Sequence, residues 1–293
     1  MSLSVILPVY GEANFISEAI ISTLDNIAVE DELIIILDRT SDTTKTVIEY
    51  FASKDKRIVV INSPSPGITS ALNLGIAHSD ADFIARMDAD DVVINDRFYI
   101  QKKFLKSHPK YILIGSGIQL IDSGGKNIGL KVFPLSHRVI KRVMPFYNPI
   151  AHPSVMIRRI SLIKSGLYEI GTDGYEDFFL WKKLINFGQF KNTRKILLKY
   201  RIHDNQVSKK NNILLSKSYS LSFKPYNKSV NRVDKLYKNI ITKKSNLIFL
   251  LLDYKFCKNY FISLITLPKS TLTLSYYYVI NALLAKIYSK LIK

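Results

Sequence analysis

The feature that most constrains this chain is an alternation of two kinds of apolar pattern. Four short apolar runs, at residues 4–10, 32–37, 57–61 and 83–87, are separated by stretches with apolar residues at helical spacing, at 14–24, 46–51 and 68–77. Continuous apolar runs of that length suit strands buried on both faces, and strand–helix–strand repeats give a mostly parallel sheet flanked by helices. The expectation is an α/β fold whose ligands bind beyond the carboxyl ends of the strands. Asp38 and Asp88 both fall at such ends.

The fourth run ends abruptly in Asp88-Ala-Asp-Asp91, three carboxylates within four residues. Charge of that density cannot lie unpaired inside a sheet, so the acids belong at the exposed end of the strand. Asp88 and Asp90 alternate with Ala89, which brings two carboxylates near one point and suits a hard divalent ion, Mg²⁺ or Mn²⁺. A solvated acidic turn leading to a helix capped near Asp96 is the alternative reading of these residues alone.

Further along, residues 97–105 read as a helix, 111–121 as a strand, and Ser123-Gly-Gly125 as a turn. Asn148-Pro-Ile-Ala-His-Pro153 reads as a rigid loop before a strand at 154–157, and Gly174-Tyr-Glu-Asp177 opens a helix over 178–186. Two carboxylates at a helix N-terminus are electrostatically favoured. Phe178, Phe179 and Trp181 on that helix read as core aromatics. Tyr200-Arg-Ile-His203 ends the last strand the pattern shows. The one cysteine, Cys257, has no partner for an internal disulfide, which points to a reducing, cytoplasmic setting.

Taken together, Val5-Ile-Leu-Pro-Val-Tyr10, the acid closing the second run, Ala85-Arg-Met-Asp-Ala-Asp-Asp91 with Asp96-Arg97, His152-Pro-Ser-Val-Met156 and Glu176-Asp177 closely resemble the family 2 glycosyltransferases. The resemblance covers residues 1–205 and implies an inverting enzyme with the GT-A fold, similar to bacterial enzymes that build lipopolysaccharide or exopolysaccharide. It implies a nucleotide-diphosphate sugar donor, UDP preferred, and a saccharide acceptor carried on a polyprenyl diphosphate. Pro8, Tyr10 and Glu12 would form the first nucleotide-side loop, and Asp38 would accept a hydrogen bond from the base. The family more often has two acids and a glycine where this chain has Leu37-Asp38-Arg39.

By the same resemblance, Asp88, Ala89 and Asp90 are the DXD signature that bridges metal and diphosphate. Asp90 is favoured as the direct ligand, with Asp88 and His203 beside it and Arg86 neutralising phosphate charge. Arg201 or His203 would lie over the diphosphate, and His152 would shape the acceptor side. Asp177 is favoured as the base that deprotonates the acceptor, with Glu176 the alternative and one of the two capping its helix. A nucleotidyltransferase would share the sheet and paired acids but needs a glycine- and arginine-rich phosphate loop that Gly11-Glu12 does not supply.

Net charge enters here because it is uneven. Residues 204–293 hold 16 Lys and Arg against 3 Asp and Glu, which is +13 of the chain's +18, and 13 of its 33 aromatic residues. The chain therefore divides into a catalytic domain over 1–205 and a basic, aromatic-rich helical region over 206–293. Neither apolar run of that region approaches the roughly 20 residues that span a bilayer. Lysines around Tyr276-Tyr-Tyr278 suit helices lying on an anionic leaflet, at the cytoplasmic face of the inner membrane; helices that pack on the catalytic domain or on a second subunit are the alternative reading. A nucleic-acid partner is set aside, since no zinc-ligand spacing or RNP-like strand accompanies the charge.

Overall fold

The computed structural model describes residues 1–11, 13–144 and 148–203. Glu12 and the whole region 206–293, with its expected membrane-facing helices, lie outside the described residues.

The first half is the alternation expected from the sequence: β1 (Leu3–Tyr10), α1 (Ile16–Leu24), β2 (Glu32–Asp38), α2 (Asp42–Lys54), β3 (Ile58–Asn62), α3 (Ile68–His78) and β4 (Phe83–Arg86). β1 pairs in parallel with β2 and β4, and β2 with β3. Each helix turns one stripe inward; on α1 this is Ile16, Ala19, Ile20 and Thr23, the 3.6-residue spacing of a single face. Ser41 caps α2 by accepting the Thr44 N–H at 3.3 Å.

Both faces of β1 are covered. Val5, Leu7 and Val9 join a core with Ile20 of α1 and Phe98, while Ile6 on the other face meets α3 so closely that any side chain at Gly75 would strike it. Burying five aliphatic side chains on β1, at about 1.5–3 kcal/mol each, outweighs burying the Ser4 hydroxyl, which in any case bonds to Glu32 Oε1 at 2.6 Å.

The second half is mixed. β5 (Val92–Val93), α4 (Arg97–Ser107), β6 (Tyr111–Ile121), β7 (Asn127–Lys131), α5 (His137–Val143), a 3₁₀ turn at His152–Ser154, β8 (Met156–Arg158), α6 (Arg159–Lys164), α7 (Glu176–Leu184) and β9 (Gln189–Arg201) follow. The strand order is β3-β2-β1-β4-β8-β6-β9-β5, with β7 on β6. β8 runs antiparallel to both β4 and β6, and β9 parallel to β6. The strand expected at 154–157 starts two residues later because His152–Ser154 takes a 3₁₀ turn. Asp96 precedes α4 in left-handed backbone, and its side chain makes no cap bond. Trp181 and Phe178 are core residues, as expected. None of the described helices is long and apolar enough to cross a membrane.

Candidate active site

β1 ends beyond β4. The β1–β4 pairing stops at Ile6↔Arg86, so Pro8, which lacks an N–H, sits where β4 no longer needs one. Tyr10 closes the strand with its ring 64% exposed and the Arg39 guanidinium 4.9 Å above it.

Asp38 ends β2 and is buried. Its Oδ2 accepts the Gly67 N–H at 2.9 Å and its Oδ1 accepts Arg39 Nε at 3.0 Å. Gly67 is required there: its φ is +105°, and a Cβ would lie 2.4 Å from Asp173 Oδ2. Asp173 in turn accepts from Thr69 N–H and Thr69 Oγ1 at the start of α3, at 3.1 and 2.7 Å.

The acid cluster forms where β4 leaves the sheet. Asp88, Asp90 and Asp91 each bring a carboxylate oxygen within 4.8 Å of the others. Arg86 pairs with Asp88 through both guanidinium nitrogens, one at 2.6 Å. His203 Nε2 lies 2.9 Å from Asp90 Oδ2. Asp91 is 1% exposed; its Oδ1 accepts the Arg201 N–H at 3.0 Å, and its Oδ2 has no hydrogen-bond partner among the described residues. Burial, then the charges of Asp88 and Asp90, pushes the Asp91 carboxyl well above the carboxylate range. A buried carboxylate with an orphaned oxygen, clustered with two more acids, is the environment a divalent cation relieves, so the residues present fit an oxygen-seeking Mg²⁺ or Mn²⁺.

Arg201 differs from its expected role over the diphosphate. Its guanidinium is buried: Nε donates to the Asp90 carbonyl at 2.9 Å, Nη1 to the Ser123 carbonyl at 3.2 Å and Nη2 to Glu18 Oε2 at 2.7 Å, over the Phe15 ring. With its N–H groups spent on protein acceptors, Arg201 fixes the backbone of the acid loop. His203, half-buried, remains facing Asp90. Arg97, also buried, holds the other end of the same loop by donating to the Arg86 and Val155 carbonyls at 2.8 and 3.2 Å.

The start of α7 carries the second pair of acids, and their surroundings differ. Glu176 is buried, with Oε2 accepting the Gly174 N–H at 2.7 Å and Oε1 3.5 Å from His152 Nδ1. Burial pushes it up, but the contacts with His152 and Arg86 prevail and hold it below its ordinary value. Asp177 is only half-buried. It accepts the Phe178 N–H at 2.6 Å and the Asn148 amide, and burial followed by the Glu176 charge pushes it up to about 7. His152 itself is buried, with Nε2 2.8 Å from the Tyr168 hydroxyl and Nδ1 toward Glu176. Sequence reasoning assigned nothing to Tyr168, Asn148 or Glu18; Asn148, within the rigid loop, was the one with a local signal.

Arg86 links the two groups of acids, since Asp88 and Glu176 both act on its buried charge. Comparison with known proteins gives the family and the fold. The amylovoran biosynthesis glycosyltransferase AmsE of Erwinia amylovora is 30% identical over 182 residues, covering 61% of this chain and 68% of that protein. The O-antigen biosynthesis glycosyltransferase WbnJ of Escherichia coli is 29% identical over 212 residues, covering 71% and 82%. The crystal structure of S. aureus TarS 1-349 in complex with UDP-GlcNAc matches with a TM-score of 0.56 at 17% identity, over 71% of this chain and 61% of that one. A likeness of that degree establishes the fold, which is GT-A. Residues 4–167, more than half of the chain, match the model for glycosyl transferase family 2, and the chain belongs to that family of glycosyltransferases.

Proposed function

We propose that this chain is a metal-dependent, inverting transferase that moves a sugar from a UDP-sugar to a saccharide acceptor on a polyprenyl diphosphate, in the synthesis of a surface polysaccharide. The observation that carries the reading is the pairing of Asp177, raised to about 7, with a three-carboxylate cluster through one buried guanidinium, Arg86.

On the donor side, Tyr10 offers a face for the base, and Asp38 can accept an imide N–H once Arg39 yields Oδ1. Asp90, Asp88 and His203 would hold Mg²⁺ or Mn²⁺, with Ala89 keeping the two acids on one side of the turn. The ion supplies positive charge to a diphosphate as it leaves. Arg86 steadies Asp88, and Arg201 and Arg97 fix the loop that carries all three acids. On the acceptor side, Asp177 takes the proton of the attacking hydroxyl, oriented by Asn148 and the Phe178 N–H. A carboxyl near 7 is a stronger base than an ordinary one and still half-ionised at neutral pH. A single displacement with that base opposite the leaving group inverts the anomeric carbon. Glu176, buried and already engaged, is the poorer candidate.

The names of AmsE and WbnJ, from amylovoran and O-antigen biosynthesis, support the polysaccharide assignment, and the UDP-GlcNAc held by TarS supports the donor class. The basic segment 206–293 suits attachment to the anionic cytoplasmic face of the inner membrane, where a lipid-linked acceptor would lie; equal flotation with neutral and anionic vesicles would remove that part. The test of the whole reading is release of UDP from a panel of UDP-sugars beginning with UDP-GlcNAc, with Mn²⁺ and with EDTA. Metal-dependent release that Asp177→Asn lowers by about 10²–10⁴-fold in kcat, at nearly unchanged donor KM, supports it. Full turnover in Asp177→Asn removes the base.

A further inference from the structure

Three buried side chains next to Asp177 have no part in the chemistry so far. Tyr168 lies in the loop after α6, His152 in the 3₁₀ turn and Glu176 at the start of α7, and they touch in series. Tyr168 Oη is 2.8 Å from His152 Nε2, and His152 Nδ1 is 3.5 Å from Glu176 Oε1. Glu176 Oε2 is closed by the Gly174 N–H. The three are 4%, 6% and 7% exposed.

The direction of each contact follows from what each group can carry. Burial raises the Tyr168 phenol, so it keeps its proton and has it to donate to Nε2, while the carboxylate opposite Nδ1 can only accept; the pair of contacts is satisfied together when Nε2 accepts and Nδ1 carries the ring proton. Burial and then the Arg86 charge lower His152, so its ring is neutral. A neutral imidazole that accepts at Nε2 has its one proton on Nδ1, and that N–H faces Glu176. Among the described residues Glu176 is thus met by N–H dipoles, those of Gly174, His152 and its own backbone, the condition under which a buried carboxylate stays ionised.

We propose that Tyr168 and His152 hold Glu176 as a fixed anion beside Asp177, so that Glu176 tunes the proton acceptor instead of competing with it; this rests on the reading of Asp177 as the base. Glu176 is a positioning residue in this scheme. Among the described residues, the groups acting on Asp177 are Glu176 on α7, Arg86 on β4, Tyr168 before α7 and, beyond Arg86, Asp88, with Asn148 and the Phe178 N–H as its hydrogen-bond donors. Of these, Glu176 is the adjacent negative charge. An adjacent anion disfavours the ionised form of a carboxyl, so its removal makes Asp177 ionise at lower pH and weakens it as a base.

The experiment is a ¹³C NMR titration, from pH 5 to 9, of the full chain labelled at aspartate carboxyl carbons, with the Asp177 signal assigned by its loss in Asp177→Asn. The signal titrates near pH 7 in the parent. In Glu176→Gln its midpoint moves to lower pH, by on the order of one pH unit. Tyr168→Phe, which removes one oxygen and keeps the ring, moves it the same way by less: without the phenol donor the His152 proton shifts to Nε2, and Glu176 takes up a proton against the exposed Nδ1 lone pair. An Asp177 midpoint unchanged in both variants overturns the proposal. So does an imidazole ¹⁵N spectrum of the parent showing His152 protonated on Nε2, a measurement that needs no variant to fold. These outcomes are separate from the base assignment, which stands or falls on the turnover of Asp177→Asn.

Discussion

Asp31 and Asp91 are the same residue in nearly the same degree of burial, 3% and 1% exposed, at opposite ends of one sheet. Asp31 precedes β2 at the amino ends of the strands. Its oxygens accept Leu3 N–H at 3.0 Å, Ala28 N–H at 3.1 Å and Lys102 Nζ at 2.6 Å from each. Asp91 follows β4 at the carboxyl ends, accepts one N–H, has no partner for its other oxygen among the described residues, and brings a carboxylate oxygen within 4.8 Å of two more carboxylates. One end of the sheet neutralises its buried acid from within the chain; at the other, the proposed function gives that task to a bound cation. The difference separates stability from chemistry without reference to any relative.

The largest effect expected from this contrast is on the open end. Asp90→Ala removes the oxygen nearest His203 and the favoured metal ligand, and is expected to lower transfer by at least about 10³-fold. UDP affinity measured calorimetrically should fall with Mn²⁺ present and stay unchanged in EDTA, because Asp38 and Tyr10 are untouched. Equal Mn²⁺-dependent affinity in variant and parent would mean that the acid cluster is a solvated turn after all.

At the closed end the expectation is reversed. Asp31→Ala strands Lys102, 11% exposed at its side chain, with only Glu30 at 3.8 Å to face it. Breaking a buried pair from one side costs about 3–5 kcal/mol, which denaturant unfolding would read directly. Activity per folded molecule should be unaltered. Lost turnover in a fully folded Asp31→Ala protein would show that the two ends of the sheet are coupled.

Much of this was legible in the sequence, for reasons the same contrast makes clear. β1 to β4 are covered on both faces and read as unbroken apolar runs, so their order and the acids at their ends could be placed. β9, Gln189–Arg201, exposes Arg194 and Lys195 in its middle, so its end at Tyr200 and Arg201 reads as a strand but its start does not, and β7, exposed along most of its length, does not stand out from loop sequence. The site divides the same way. Asp88, Asp90, Glu176 and Asp177 sit in short contiguous blocks. Tyr168 and Asn148 act across 16 and 29 residues of chain, through contacts no local pattern encodes. Arg201 reads as a charge at a strand end, but which way its guanidinium turns depends on Phe15 and Glu18 at the start of α1 and on Ser123 in the turn after β6.

The smallest effect is also the one that tests the contrast most sharply. Asp91→Asn keeps an oxygen for the Arg201 N–H and removes the buried negative charge. Because burial and its neighbours raise the Asp91 carboxyl in the folded state, the native protein holds that proton more tightly than the unfolded chain does. The ionised form therefore costs stability, and the cost grows as pH rises through the folded value. Without metal, Asp91→Asn should melt slightly above the parent, by more at neutral pH than at pH 4, where the carboxyl is protonated in the folded state. Saturating Mn²⁺ should raise the melting temperature of the parent more than that of the variant, since the ion supplies the partner that Asp91 lacks. Scanning calorimetry of both proteins in EDTA and in Mn²⁺ gives the four values needed. A variant that melts below the parent in EDTA would place Asp91 with Asp31, as a carboxylate whose charge the fold itself requires.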